Sequence, residues 1–150
     1  MMRFRYRLEA LLKQRRWERD ASTLQERTAR QVLQAQVDEA RRAREALEAV
    51  EHALRDAYRA GASIDPRQHE AALLYLGRAR EALRAKAGQA AGAREVHERT
   101  RESLLRAVQA VRGLEQHRGN RSREHARERQ GQEQQKQDDL WLTRRRSTWR

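Results

Sequence analysis

The sequence predicts an all-α fold, a long antiparallel two-helix coiled-coil hairpin with an extended C-terminal helix. Three observations predict it. Apolar residues recur three and four apart over long stretches, the period of one helix face. The chain is 37% charged with a mean hydropathy of −1.17, which suits long solvated helices and leaves too little apolar material for a thick core. The only proline, Pro66, closes the stretch Gly61-Ala62-Ser63-Ile64-Asp65-Pro66, where a continuous helix must break.

The first helix is expected over about residues 4–60. Phe4, Leu8, Leu11 and Leu12 share a face, and Trp17, Ala21, Leu24 and Thr28 continue the spacing. From Leu33 the seam shifts register. Ala40, Ala43, Leu47, Val50, Leu54 and Ala57 then alternate three and four apart, the a/d pattern of a coiled coil. Glu26–Arg30, Asp38–Arg42 and Glu51–Arg55 are i,i+4 pairs in the favourable order.

The turn is expected over 61–66. Gly61 is a natural C-terminal stop. Pro66 disfavours helix at Asp65, and Asp65-Pro66 reads as an N-cap followed by proline at the first helical position. A hairpin folded symmetrically here sets residue i opposite about 127−i, which brings Phe4 to the region of Arg123.

The second helix is expected from about 67 to 141. Leu73, Leu76, Leu83, Ala87 and Ala90 form its first seam, and Thr100, Leu104, Val108, Val111 and Leu114 form another after a register change. Gly88 and Gly92 sit where that seam shifts and read as a close approach of the helices, a bend or a tolerated weak spot. After Leu114 no apolar residue larger than alanine appears until Leu140. Residues 115–139 are therefore expected to be frayed or solvated helix. The overhang beyond the partner reaches about 40 Å if helical, and residues 142–150 form a tail for which disorder is one reading.

Length and composition bound the function. One domain fits 150 residues. The scarcity of proline and serine and the regular seam favour helix over disorder, whose signature of low hydrophobicity and high charge is otherwise similar. There is no cysteine, which excludes thiolate metal sites and disulfides. No apolar run approaches the roughly 20 residues that span a bilayer. The basic N-terminus lacks the apolar stretch of a secretory signal, and Glu9 argues against a mitochondrial presequence, so a cytoplasmic location is the expectation.

The net charge of +12 is unevenly placed. Residues 1–30 hold nine Lys/Arg against four acids, and residues 141–150 hold four Arg and no acid, so these two segments carry +9 of the +12. A hairpin makes them one feature.

No catalytic pattern stands out. There is no phosphate-binding Gly-Lys-Ser/Thr loop, and His69-Glu70 lacks the second histidine at i+4 that a zinc-protease helix requires. His117 and His125 are eight apart in a polar stretch and read as solvated. Asn120-Arg121-Ser122 matches a glycosylation sequon, which has no meaning without secretion. Neither a cofactor nor enzymatic activity is expected. The chain is expected to work through its surfaces.

Phe4-Arg5-Tyr6-Arg7-Leu8-Glu9-Ala10-Leu11-Leu12-Lys13-Gln14-Arg15 resembles the opening of FliJ-type flagellar export proteins, in which an F-x-x-x-L-x-x-L-L-x-x-R pattern starts a long helix. Residues 60–66 followed by Tyr75-Leu76 resemble their hairpin turn. Arg123 to Arg129, then Glu133, Lys136, Asp138-Asp139, Leu140 and Arg144, are similar to their C-terminal ending. These motifs are short but spread over the whole chain.

The resemblance implies an antiparallel coiled coil like the central stalk of rotary ATPases. Its paired termini enter a hexameric export ATPase and promote the ATPase's assembly and activity. The hairpin side then meets the export-gate membrane protein, and some members also bind export chaperones. Injectisome stalk proteins of the YscO type share this architecture, and the N-terminal and tail patterns lean flagellar. Carried onto this chain, the ATPase-facing set is Arg3, Arg5, Arg7, Leu8, Leu11, Arg15, Arg16, Trp141, Arg144 and Arg145, with Leu8 and Leu11 also fitting the seam. The gate-facing set is Tyr58, Tyr75 and Leu76. A stalk location is on the cytoplasmic side of the inner membrane, peripheral to it through the export apparatus.

Two other classes stay open. A basic helical protein is able to bind nucleic acid by neutralising phosphates, but acids are interleaved along this chain and no nucleic-acid fold signature is present, so nucleic acid is not the expected partner. A generic coiled-coil scaffold, including a swapped dimer, is the other.

Overall fold

A computed structural model describes residues 4–61, 63 and 65–147, with no account of the side chains of 143–147. Two helices make up the fold, α1 (Glu9–Arg59) and α2 (Pro66–Ser147), packed against each other as an all-α helical hairpin. The chain divides into two compact units, one of residues 1–20 with 105–150 and the other of residues 21–104.

The turn forms as its residues require. α1 ends at Arg59, and Gly61 follows with φ +64°, the left-handed conformation that glycine adopts without a Cβ clash. The Gly61 amide donates to the Tyr58 carbonyl at 3.3 Å, satisfying one of the helix's last acceptors. Asp65 caps α2. Its Oδ1 accepts from the Arg67 amide at 3.0 Å, its carbonyl accepts from the His69 amide at 3.0 Å, and Pro66 takes the first helical position.

α1 begins at Glu9, five residues later than expected. Phe4–Tyr6 are non-helical and Arg7-Leu8 form a turn, with the Glu9 amide donating to the Tyr6 carbonyl at 3.2 Å. No Ser, Thr, Asp or Asn precedes Leu8 to cap a helix there. Phe4-Arg5-Tyr6-Arg7 alternates aromatic with basic residues. That period of two lays Phe4 and Tyr6 inward, half-buried, and leaves Arg5 and Arg7 exposed.

In the unit of residues 21–104 the α1 seam from Ala40 to Ala57 is half-buried or buried at every expected position, with Leu47 in the core. Upstream the seam runs through Ser22, Glu26, Ala29, Leu33 and Gln36, not through Leu24 and Thr28, which are exposed. Leu24 is 67% exposed, and in the other unit Trp17 is 72% exposed. The α2 seam has no register change. His69, Ala72, Leu76, Ala79, Leu83, Lys86, Ala90, Ala93, His97, Thr100, Leu104, Ala107, Val111 and Leu114 follow one another in unbroken steps of four and three, all half-buried or buried. Leu73 and Ala87 lie off it and are exposed. A Cβ added at Gly88 or Gly92 meets nothing within 4 Å, so neither glycine serves a close approach of the helices.

Polar seam residues find one another. His97 Nε2 lies 3.0 Å from Glu26 Oε1, both largely buried, and Lys86 extends past its own helix to pair with Glu39. Arg80 reaches Glu51 at 2.8 Å. These pairs order α1 and α2 antiparallel within that unit.

α2 stays helical through Ser147, so residues 115–139 are helix, fully solvated from Ala126 to Leu142, and the tail expected from 142 is helical as far as it is described.

Candidate functional site

The strongest concentration of functional chemistry lies in the unit formed by the two chain ends. It holds 19 Lys/Arg and nine Asp/Glu, a net +10, whereas residues 21–104 hold 15 and 13, a net +2. Residues 1–20 and 105–150 fall in one compact unit, and the contacts described between them run from Phe4–Arg16 to Leu114–His125, with the helix beyond Ala126 solvated.

The N-terminal segment is clipped onto α2. The Tyr6 hydroxyl donates to the Leu114 carbonyl at 3.2 Å and lies 2.9 Å from His117 Nδ1. Phe4 and His125 set their ring centroids 5.6 Å apart, and so do Tyr6 and His117, a spacing within the range of favourable tilted aromatic pairs. The two histidines read as solvated in the sequence are thus the anchor points of the clip. The symmetric register brought Phe4 to the region of Arg123, and its partner is two residues away. Beneath the clip Leu12 is fully buried and Val111 is 2% exposed. Arg16 donates to Glu115 at 2.7 and 3.3 Å, and Arg118 approaches Glu9 at 3.6 Å.

A cleft of about 540 Å³ lies between the clip and α2, lined by residues 4–8 with His117, Arg121, Glu124, His125 and Glu128. Arg5 and Arg7 are exposed beside it, with no acid paired to either among the described contacts. Leu8 and Leu11 are 39% and 36% exposed. These four residues make a mixed basic and apolar surface on one short stretch of chain.

Arg15 is engaged with Glu18 one turn along, at 2.8 Å. That hydrogen bond, and a second from Gln14, hold the Glu18 carboxyl below its ordinary pKa. Arg16 is held by Glu115, so its charge is partly neutralised within the fold. Leu140, Trp141 and Leu142 are 62%, 58% and 53% exposed. Arg3 and the side chains of Arg144 and Arg145 lie outside the described residues.

Of the expected gate-facing residues, Tyr58 and Tyr75 are 51% and 54% exposed, and the Tyr58 hydroxyl hydrogen-bonds the His69 ring. Leu76 is 6% exposed and belongs to the core. Its place on the unbroken α2 seam turns it toward α1, which removes it from any partner-facing set. Sequence reasoning gave Tyr6 no role of its own and read His117 and His125 as solvated; the one signal for Tyr6 was the aromatic–basic alternation at the start of the chain.

Among the described residues no group of three or more His, Asp or Glu is arranged to hold a metal ion, and no helix is long and apolar enough to cross a membrane. No family model, curated protein or solved structure matches the chain.

Proposed function

We propose that this chain is a FliJ-type coiled-coil stalk of a protein-export apparatus. In this reading its paired chain ends enter a hexameric export ATPase, promoting assembly and activity. The turn end of the hairpin faces the membrane export gate, and export chaperones are further partners. The observation that carries the reading is the compact unit of net +10 to which residues 1–20 and 105–150 belong. A shaft in a ring needs such an end, because a basic surface steers association with acidic loops around a pore. The exposed arginines of the clip, Arg5 and Arg7, are the most available for this. Arg16, already bound to Glu115, is the least. The stalk is a cytoplasmic component, peripheral at the inner membrane through the gate, with Tyr58 and Tyr75 as its gate-facing pair.

The test is turnover of the cognate export ATPase at substoichiometric stalk. Wild-type chain is expected to raise the rate, and Arg5→Glu with Arg7→Glu to reduce the gain by about 10-fold while far-UV circular dichroism is unchanged. Deletion of residues 1–16 is expected to abolish it. No effect on the ATPase, joined to salt-dependent retention on DNA, overturns the stalk in favour of nucleic-acid binding.

A further inference from the structure

A second surface lies wholly within residues 21–104, and nothing in the stalk reading uses it. There the polarity of the packing is inverted. The α1 seam carries Ser22, Glu26 and Gln36, with Gln36 Oε1 buried and without a hydrogen-bond partner. The apolar residues stand outside, Leu24 at 67%, Val32 at 49% and Val96 at 51% exposure. With Thr28, Ala93 and Thr100 they line one groove of about 450 Å³ along the side of the two helices. An exposed apolar groove of this kind marks a contact surface.

Its rim is distinctive in so highly charged a chain. On α1 the exposed residues spaced along this side are Leu24, Gln25, Thr28, Gln31, Val32 and Ala35, none of them charged. On α2, Gln89, Gly92 and Val96 continue it, and a Cβ at Gly92 would meet open space. No charged residue lines the groove itself. The occupant is an uncharged, apolar helix face that tolerates glutamine at its edge.

We propose that the occupant is the same face of a second copy of this chain. Leu24, Thr28 and Val32 stand at i, i+4 and i+8, one ridge of the kind that packs into the groove of a neighbouring helix. Across a two-fold axis at Thr28 that ridge is self-complementary: Leu24 of one copy meets Val32 of its mate, and Thr28 meets Thr28. Charge permits it. Residues 21–104 carry only +2, so the surface that must approach its own copy is the near-neutral one, and the unit of +10 is not used. Because each whole chain still carries +12, added salt screens the repulsion between copies and strengthens the contact.

Sedimentation of the full chain across the micromolar range tests this. A monomer–dimer equilibrium that tightens with salt is expected, and Leu24→Glu or Val32→Glu weakens it by at least about 10-fold while helicity stays unchanged, both positions being exposed. Thr28→Glu and Thr28→Lys are each expected to be monomeric alone and to form a heterodimer when mixed, since only the two-fold arrangement sets position 28 against itself. A chain that stays monomeric throughout overturns the proposal, even if another protein later proves to protect the groove. So does a dimer indifferent to Leu24→Glu, or one that Thr28→Glu and Thr28→Lys disrupt singly without recovery on mixing.

Discussion

The unit built from the chain ends and the unit that holds the turn are made from the same two helices by different means. Residues 21–104 rely on a regular seam in which Leu47, Leu76 and Ala90 are buried and polar seam residues pair across the helices. The chain-end unit has a shorter seam, centred on Leu12 and Val111, and closes over it with an extended aromatic clip. One carries +2 and the other +10. Concentrating charge of one sign raises the self-repulsion of a compact state, and the clip offsets it with hydrogen bonds and ring contacts. Stability is therefore spread along one unit and concentrated at a few residues in the other.

The sharpest way to break this contrast is Leu12→Ala. Leu12 is completely buried, whereas Leu47 retains 8% exposure on a longer seam. Truncating a fully buried leucine typically costs about 2–5 kcal/mol, more where the site cannot collapse. The loss at Leu12 is expected at the upper end of that range and the loss at Leu47→Ala lower in it. Hydrogen exchange should show protection vanishing first over residues 5–20 and 105–118 in the Leu12 variant. If both variants lose protection uniformly over the whole chain, it unfolds as one cooperative body and the two units have no separate stability. Trp17→Ala is the control, an exposed position expected to change stability by no more than about 0.5 kcal/mol.

That control also shows where the sequence was legible. The turn was readable because Gly61, Asp65 and Pro66 each have one strong backbone preference, and all three agree. The seam from Ala40 to Ala57 was readable because every position on it is apolar. Reading failed where polar residues occupy seam positions. Arg16, Glu26, Lys86 and His97 are half-buried because long or paired side chains cover the seam with their apolar parts. A pattern search that follows apolar residues is then drawn to Trp17, Leu24 and Leu73 beside them. The start of α1 failed for another reason. Phe4 and Leu8 satisfy a period of four and Phe4 and Tyr6 a period of two, and only the hydrogen bond from Tyr6 to Leu114 decides between them. The basic character of the candidate site was readable from charge alone. Its geometry was not, because His117 and His125 gain a role only from residues more than 100 positions away.

A smaller effect sharpens the contrast through the two Tyr–His pairs, one in each unit. Tyr6 is half-buried and holds both a carbonyl and a ring nitrogen, whereas Tyr58 is 51% exposed and bonds only the half-buried His69 ring. Tyr6→Phe should cost about 0.5–1.5 kcal/mol, the usual worth of an intramolecular hydrogen bond, and should speed amide exchange over residues 5–9. Tyr58→Phe should stay within about 0.5 kcal/mol, as exposed substitutions do. Equal losses in thermal melts would mean that the clip contributes no more than a surface contact does.

The smallest effect separates the units by their ion pairs. Glu39 lies across the helices from Lys86, and Glu18 lies along its own helix from Arg15. A hydrogen bond from Lys86 lowers the Glu39 pKa, and one from Arg15 lowers that of Glu18. Each carboxylate is thus depressed in the folded state. Its contribution is complete at neutral pH and disappears as pH falls from the ordinary glutamate value through the folded one. Both pairs are exposed, so the change in stability is slight, and carbon-detected titration of the two carboxyls is the better measurement. Lys86→Met keeps the aliphatic stem in the α2 seam and removes the charge. Glu39 should then titrate at a higher pH and Glu18 should not move. A Glu39 curve unchanged by Lys86→Met would show that the pair does not persist in solution. The antiparallel register within residues 21–104 would then rest on its apolar seam and the Glu26–His97 and Glu51–Arg80 contacts.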